Sequence, residues 1–162
     1  MIILMALKRL HLEHQQQLID PNYFYSIEID ENNLFKWNIL LIGPSDTIFE
    51  GAIFKCELIF NSHYPIKPPS FKFLDDIFHP NVYKDGKVCI SILHEGVDMY
   101  GYEDISERWN PSHSVNSILM SIISMLSEPN FDSPANVDAS KLWQQNYNEY
   151  KKIIYKLIAN KL

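Results

Sequence analysis

The chain has 162 residues, enough for one domain with a buried core. Its hydrophobic fraction of 46% is ordinary for a globular protein, and its formal net charge of −6, with no basic cluster, speaks against nucleic-acid binding. The N-terminal MIILMAL is too short to span a membrane and lacks the flanks of a signal peptide, so it reads as an extra turn of the first helix, and no direct membrane insertion is expected.

That first helix carries Leu7, Leu10, Gln17 and Leu18 in a mixed helical period and ends at Asp20-Pro21, because proline disfavours helix in the residue before it. The period then changes to two. YFYSIEI and FKWNILLI read as strands, the second with Phe35, Trp37, Ile39 and Leu41 alternating, and Asn32-Asn33 between them suits a hairpin turn. IFKCELIF places Phe54, Cys56, Leu58 and Phe60 on one face, and SFKFL is a short fourth strand. Turn chemistry separates each pair, first at Gly43-Pro44-Ser45-Asp46 and then at NSHYPIKPP, which predicts an antiparallel meander.

From Leu74 to Val115 the chain is irregular, and long irregular segments in compact domains are usually functional. A helical stripe follows: Val115, Ile118, Leu119, Ile122, Ile123 and Leu126, widened by Met120 and Met125 and stopped at Glu128-Pro129. Asp138 is the expected N-cap of a helix over ASKLWQQN, and a last helix starts near Glu149. Helix, four strands, irregular segment and three helices in sequence make an α+β fold, expected as a single domain over residues 1–162.

Only two cysteines are present, so no disulfide framework is possible and a reducing cytoplasmic setting is expected. Cys56 lies on the apolar face of a strand and reads as structural. Cys89 lies on no face of either period; it follows the turn signal Asp85-Gly86, and both a nucleophilic thiol and a small buried hydrophobe fit it. A Cys–His hydrolase needs a histidine within reach of the thiol, and His79 and His94 are near only in sequence. A zinc site from Cys89, His79 and His94 lacks a second local thiol, so no metal is expected, and five glycines without a phosphate-loop spacing argue against nucleotide chemistry. In HPN, His79 reads as a hydrogen bonder that stabilises a turn rather than as a base. Asn81 reads either as a turn residue or as an amide donor to a developing oxyanion.

HPNVYKDGKVCISIL resembles the active-site signature of the ubiquitin-conjugating enzymes. ALKRL, GPSDTIFEGAIF, YPIKPPSFKF, ERWNPSHSVNSILMSIISML and SEPNFDSPANVDASKLW match the family in order and spacing, so the resemblance covers essentially the whole chain. The insertion HEGVDMYGYEDISERW after the cysteine is similar to the branch that serves endoplasmic-reticulum-associated degradation.

The resemblance implies a ubiquitin carrier. Cys89 would accept the C-terminal carboxyl of ubiquitin from an activating enzyme as a thioester, and Asn81 would stabilise the oxyanion as a substrate or ubiquitin lysine attacks. ATP is used by the activating enzyme, so this chain needs no cofactor. The lysine would be deprotonated and oriented in a desolvated, carboxylate-lined cleft, so no strong general base is needed. His94, Asp98 and Asp132 are the candidates for steering or gating it, Asp132 because Ser133 stands where many members are acidic. Against this, the insertion, with Glu95, Asp98, Glu103, Asp104 and Glu107, also reads as a plain solvated acidic lid.

Lys8 and Arg9 resemble the basic positions that meet the activating enzyme and, in part, the ligase, and Ile66, Pro111 and Ser112 the two loops that dock RING-type ligases. Trp109 reads as a packing residue. With no membrane anchor, recruitment to the endoplasmic reticulum would come from a partner. A silent binding module of the same fold and a carrier of a ubiquitin-like modifier are the alternatives.

Overall fold

The computed structural model describes residues 1–161; Leu162 lies outside them. Helix α1 spans Ile2–Ile19, so the apolar N-terminal residues do form its first turn, and Asp20 closes it. Strands β1 (Tyr25–Asp30), β2 (Asn33–Ile42), β3 (Ile53–Ile59) and β4 (Ser70–Phe73) follow as one antiparallel sheet in the order β1-β2-β3-β4. Short 3-10 turns at Ser91–Leu93 and Ile105–Glu107 interrupt the irregular segment, and helices α2 (Val115–Ser127), α3 (Val137–Gln145) and α4 (Tyr147–Ala159) end the chain. This is the expected α+β order and meander.

Alternation dictates the core. Trp37 pairs with Leu58 and Leu58 with Phe71, while Ile39 pairs with Cys56 and Cys56 with Phe73. All of these are buried, in one cluster with Val115, Ile118, Leu119, Ile122 and Leu126 of α2. Cys56 is thus a small core residue between strands, and burial pushes its thiol pKa far up.

Four local expectations are corrected. The first hairpin turns at Glu31-Asn32, and Asn33 already belongs to β2, because the Asp30 carboxylate accepts the Asn32 N–H at 2.8 Å and bends the chain one residue early. The N-cap of α3 is Asn136, not Asp138: its side chain accepts the Ala139 N–H at 3.1 Å, while its own N–H is anchored on Pro80 O at 2.9 Å. Asp138 sits in the first turn instead. Helix α4 starts at Tyr147 because Asn146 both closes α3 and caps α4. Finally, α1 buries Ala6, Leu10 and Glu13, leaving Leu18 exposed.

Glu13 in that stripe is a buried carboxylate with a full set of donors. It accepts from Arg9 Nε at 2.6 Å, from the Tyr64 hydroxyl and from the Val115 N–H at 2.5 Å. The last of these places a negative charge on the first N–H of α2, where the helix dipole favours it. Arg9 also donates to Pro111 O at 3.1 Å and to His113 O at 2.8 Å. One ion pair therefore ties α1 to the Tyr64 turn, to the loop before α2 and to α2 itself. Glu13→Ala leaves an arginine, a phenol and a helix N–H without their acceptor, and is expected to lower unfolding free energy by about 3 kcal/mol in urea titration.

Candidate active site

Cys89 is carried by a small hairpin added to the edge of β4. Val82 and Val88 form a bridge, as do Lys72 and Lys87, and Tyr83 N–H donates to Lys87 O at 2.9 Å. The turn is Asp85-Gly86. Asp85 accepts the Lys87 N–H at 3.0 Å, and Gly86 has φ +89 with its missing Cβ only 2.1 Å from where Phe73 O lies, so no other residue fits. The strand-like pairing stops at Val88, and the chain turns into the 3-10 segment, which leaves Cys89 half-buried rather than sealed.

Beneath it lies HPN. The His79 ring is fully buried; its Nδ1 accepts the Asn81 N–H at 3.0 Å and its Nε2–H donates to Met125 O at 3.0 Å. Burial drives its pKa down to about 3, so the ring is neutral and works as a hydrogen bonder. Asn81 accepts the Cys89 N–H on its backbone oxygen at 3.0 Å. Its side chain clamps Asn130, donating from Nδ2 to Asn130 O at 2.7 Å and accepting the Asn130 N–H on Oδ1 at 2.9 Å. One N–H of the Asn81 amide remains beyond that clamp.

The sulfur is not alone. Cys89 Sγ lies 3.6 Å from His94 Nε2, and His94 Nδ1 lies 2.9 Å from Oε1 of Glu103, whose other oxygen, Oε2, Arg108 grips. The hydrogen bond with His94 holds the Cys89 thiol pKa below its ordinary value, against the effect of burial, with the Tyr83 hydroxyl helping. The same contact, with Glu103 behind it, lifts His94 to about 9. Two clefts of about 440 and 630 Å³ meet at Cys89 and His94. The first runs past Asn61, Pro68, Pro69, Tyr83 and Lys87; the second lies between the inserted loop and the Asn130 segment and reaches Asp132 and Ser133.

Cys89, Asn81, His94, Asp98 and Asp132 all border the second cleft. Asp98 faces its own loop, accepting the N–H groups of Tyr100, Tyr102 and Glu103, and these bonds keep its carboxyl below the usual range. Asp132 is exposed on the cleft wall. Lys8, Ile66, Pro111 and Ser112 are exposed and border neither cleft, and the turns that carry the last three are tied by Trp109 Nε1 donating to Pro65 O at 2.9 Å. Arg9, expected at a partner surface with Lys8, directs its donors inward to Glu13, Pro111 and His113. Tyr83, Arg108 and Asn130 were not singled out from sequence. Asn130 meets Asn81 from 49 residues away, while Tyr83 and Arg108 find their partners only once the hairpin and the inserted loop have closed, and no local pattern marks them.

A family model described as ubiquitin-conjugating enzyme matches residues 9–158. The chain belongs to the ubiquitin-conjugating enzyme family. It is 46% identical over 159 residues to human ubiquitin-conjugating enzyme E2 G2, covering 97% of this chain and 96% of that protein. It is 56% identical over 125 residues to the probable ubiquitin-conjugating enzyme E2 7 of Caenorhabditis elegans, covering 76% of each. Against ubiquitin-conjugating enzyme E2 15 of Schizosaccharomyces pombe it is 50% identical over 135 residues, covering 83% of this chain and 81% of that one. Family members of this kind are acyl-transferring enzymes that work through a thioester, and ubiquitin carriage with its activating and ligating partners comes with the family. Among the described residues no helix is long and apolar enough to cross a membrane.

The two thiols of this ubiquitin-conjugating enzyme sit in opposite environments, one lowered and half-exposed, the other raised and sealed. Iodoacetamide at pH 7 is therefore expected to modify Cys89 stoichiometrically while Cys56 stays unmodified until the protein unfolds, as peptide mass mapping would show.

Proposed function

We propose that Cys89 is the residue that carries ubiquitin, and that it passes the acyl group to a substrate or ubiquitin lysine with the help of a RING-type ligase. The observation that carries this reading is the sulfur itself: a half-exposed thiol of lowered pKa at the junction of two clefts, whereas the other cysteine, Cys56, is buried where no acyl donor can reach. The first cleft suits the extended tail of the carried protein, and the second suits the lysine. A thioester keeps the acyl group reactive towards an amine, so the carrier needs no ATP of its own.

Asn81 has two roles in this reading. Its clamp on Asn130 fixes one wall of the lysine cleft, and its remaining N–H is the group available to the oxyanion. Removing one oxyanion donor commonly costs about 10²–10³ in rate. Asp132 takes the steering role on the cleft wall, and Asp98 supports the lysine by shaping the loop rather than by meeting it. Exposed Lys8 is the basic contact for the activating enzyme. Ile66, 66% exposed, together with Pro111 and Ser112 makes the ligase surface, its two turns held together by Trp109 and Arg9. Similarity to E2 G2 and the inserted loop support a place in protein quality control and proteasomal degradation, in the cytoplasm, with any endoplasmic-reticulum association supplied by a partner.

Incubation with ubiquitin, activating enzyme and ATP tests the assignment on a non-reducing gel. The expected product is an adduct of one ubiquitin that reductant removes. Cys89→Ala abolishes it, Cys56→Ala keeps it, and Cys89→Ser gives an ester that survives reductant. An adduct persisting in Cys89→Ala overturns the choice of sulfur, and charging only by a ubiquitin-like modifier overturns the choice of cargo.

A further inference from the structure

Four side chains stand in line across the base of the inserted loop. Cys89 Sγ is 3.6 Å from His94 Nε2, and His94 Nδ1 is 2.9 and 3.0 Å from the two oxygens of Glu103. Arg108 holds that carboxylate through Nη1, and its other nitrogens are fixed on loop carbonyls, Nε on Gly96 O at 2.7 Å and Nη2 on Glu95 O at 2.9 Å. The ring nitrogen that faces a carboxylate carries a proton, so Nδ1–H points at Glu103 and Nε2 is the nitrogen turned to the sulfur. Asp98 locks the loop from the far side by accepting the Glu103 N–H at 3.0 Å.

We propose that Glu103, anchored by Arg108, is the positioning residue of a Cys89–His94–Glu103 relay, in which acylation of the sulfur converts His94 from the cationic partner of a thiolate into the base that takes the proton of the attacking amine. This rests on Cys89 being the carrier, and it gives His94 a task that a desolvated cleft without a base leaves to the solvent.

The steps balance. At rest the thiol proton lies on Nε2, opposite the Cys89 thiolate. That thiolate attacks the thioester presented by the activating enzyme. A carbon–sulfur bond forms to Cys89, the one to the donor breaks, and the departing thiolate takes the proton from Nε2. His94 is now neutral beside a neutral acylated sulfur. An incoming ammonium gives one proton to Nε2 and attacks as the amine. The carbon–nitrogen bond forms, the carbon–sulfur bond breaks, and the amine's second proton passes to water. The leaving thiolate is again paired with imidazolium.

The surrounding charges agree with this sequence. From the β4 hairpin, Tyr83 and Lys87 face the pair. From the inserted loop the facing groups are Asp98, Tyr100, Tyr102, Glu107 and Arg108, and from the end of α2 and beyond they are Glu128 and Asp132. The hydrogen bond to Cys89 is the largest support for a charged His94; burial opposes it, and Glu103 adds to it. Acylation removes the first support and leaves the last, so the ring becomes a weaker acid-holder when the lysine arrives.

NMR titration of His94 tests the switch without ubiquitin. The samples are the untreated protein, the protein alkylated at Cys89 with iodoacetamide, whose neutral sulfur stands in for the acylated one, and Glu103→Gln, which keeps shape and removes charge. His94 is expected to titrate near 9 in the untreated protein. Alkylation lowers that midpoint by about one pH unit or more, and Glu103→Gln lowers it as well. Single-turnover discharge of the loaded enzyme to free lysine is expected to be about tenfold slower in Glu103→Gln near pH 7, the gap closing as alkaline pH deprotonates the amine in bulk. A His94 midpoint unmoved by alkylation overturns the switch. A discharge defect of equal size at every pH, or none, overturns the positioning role. Because the titration needs no cargo, its failure is distinct from failure of Cys89 to charge.

Discussion

The geometry around Cys89 depends on a neutral imidazole in the interior. His79 is closed off from water, and each ring nitrogen has one backbone partner, an N–H two residues ahead and a carbonyl at the end of α2. Only the neutral ring, protonated on Nε2, satisfies both. Proline between His79 and Asn81 fixes the backbone so that the Asn81 carbonyl meets the Cys89 N–H and the Asn81 side chain meets Asn130. The Pro80 carbonyl reaches the N-cap residue of α3, and the Phe78 carbonyl accepts the Tyr150 hydroxyl at 2.6 Å from α4. Four consecutive residues thus join the sulfur's hairpin to three helices. Unpaired backbone groups at this depth would each cost about 1–3 kcal/mol, which makes the arrangement all-or-none.

On that frame the same side chain acquires two chemistries. Cys56, between strands, has apolar neighbours, and its pKa rises by desolvation. Cys89 leaves the sheet edge at a glycine turn and meets an imidazole whose charge a carboxylate supports. The inserted loop makes the difference. It folds on its own Asp98 and is closed by Arg108, and in doing so it brings Glu103 behind His94. A shorter passage from the cysteine to Trp109 would leave the sulfur without that array. A second ion pair, Arg9 with Glu13, fixes the loop before α2 from α1, so the turns bearing Ile66 and Pro111 share one support.

Much of the fold is legible in the chain because its signals are local. The period-two runs mark the strands, the stripe from Val115 to Leu126 marks α2, and Cys56 falls on a buried face by counting alone. The misjudged boundaries share one cause. Asn136 wins the cap of α3 over Asp138, and the first hairpin turns at Glu31-Asn32, because a distant carbonyl or a neighbouring carboxylate decides which short polar side chain takes the N–H. The site is legible only in part. His94 is five residues from Cys89, but the carboxylate on its other nitrogen, Glu103, comes nine residues later around the inserted loop, and no periodicity encodes that. Arg9 reads as a surface cation until Glu13, one helical turn on, is seen to be buried.

The neutrality of His79 can be measured directly. Nitrogen NMR of its ring between pH 5 and pH 8 is predicted to show one unchanging signal set, a neutral imidazole protonated on Nε2, because its pKa is lowered to about 3. A ring that titrates with an ordinary midpoint near 6.5, or that carries its proton on Nδ1, would contradict the account, since neither form can hold Asn81 and Met125 at once.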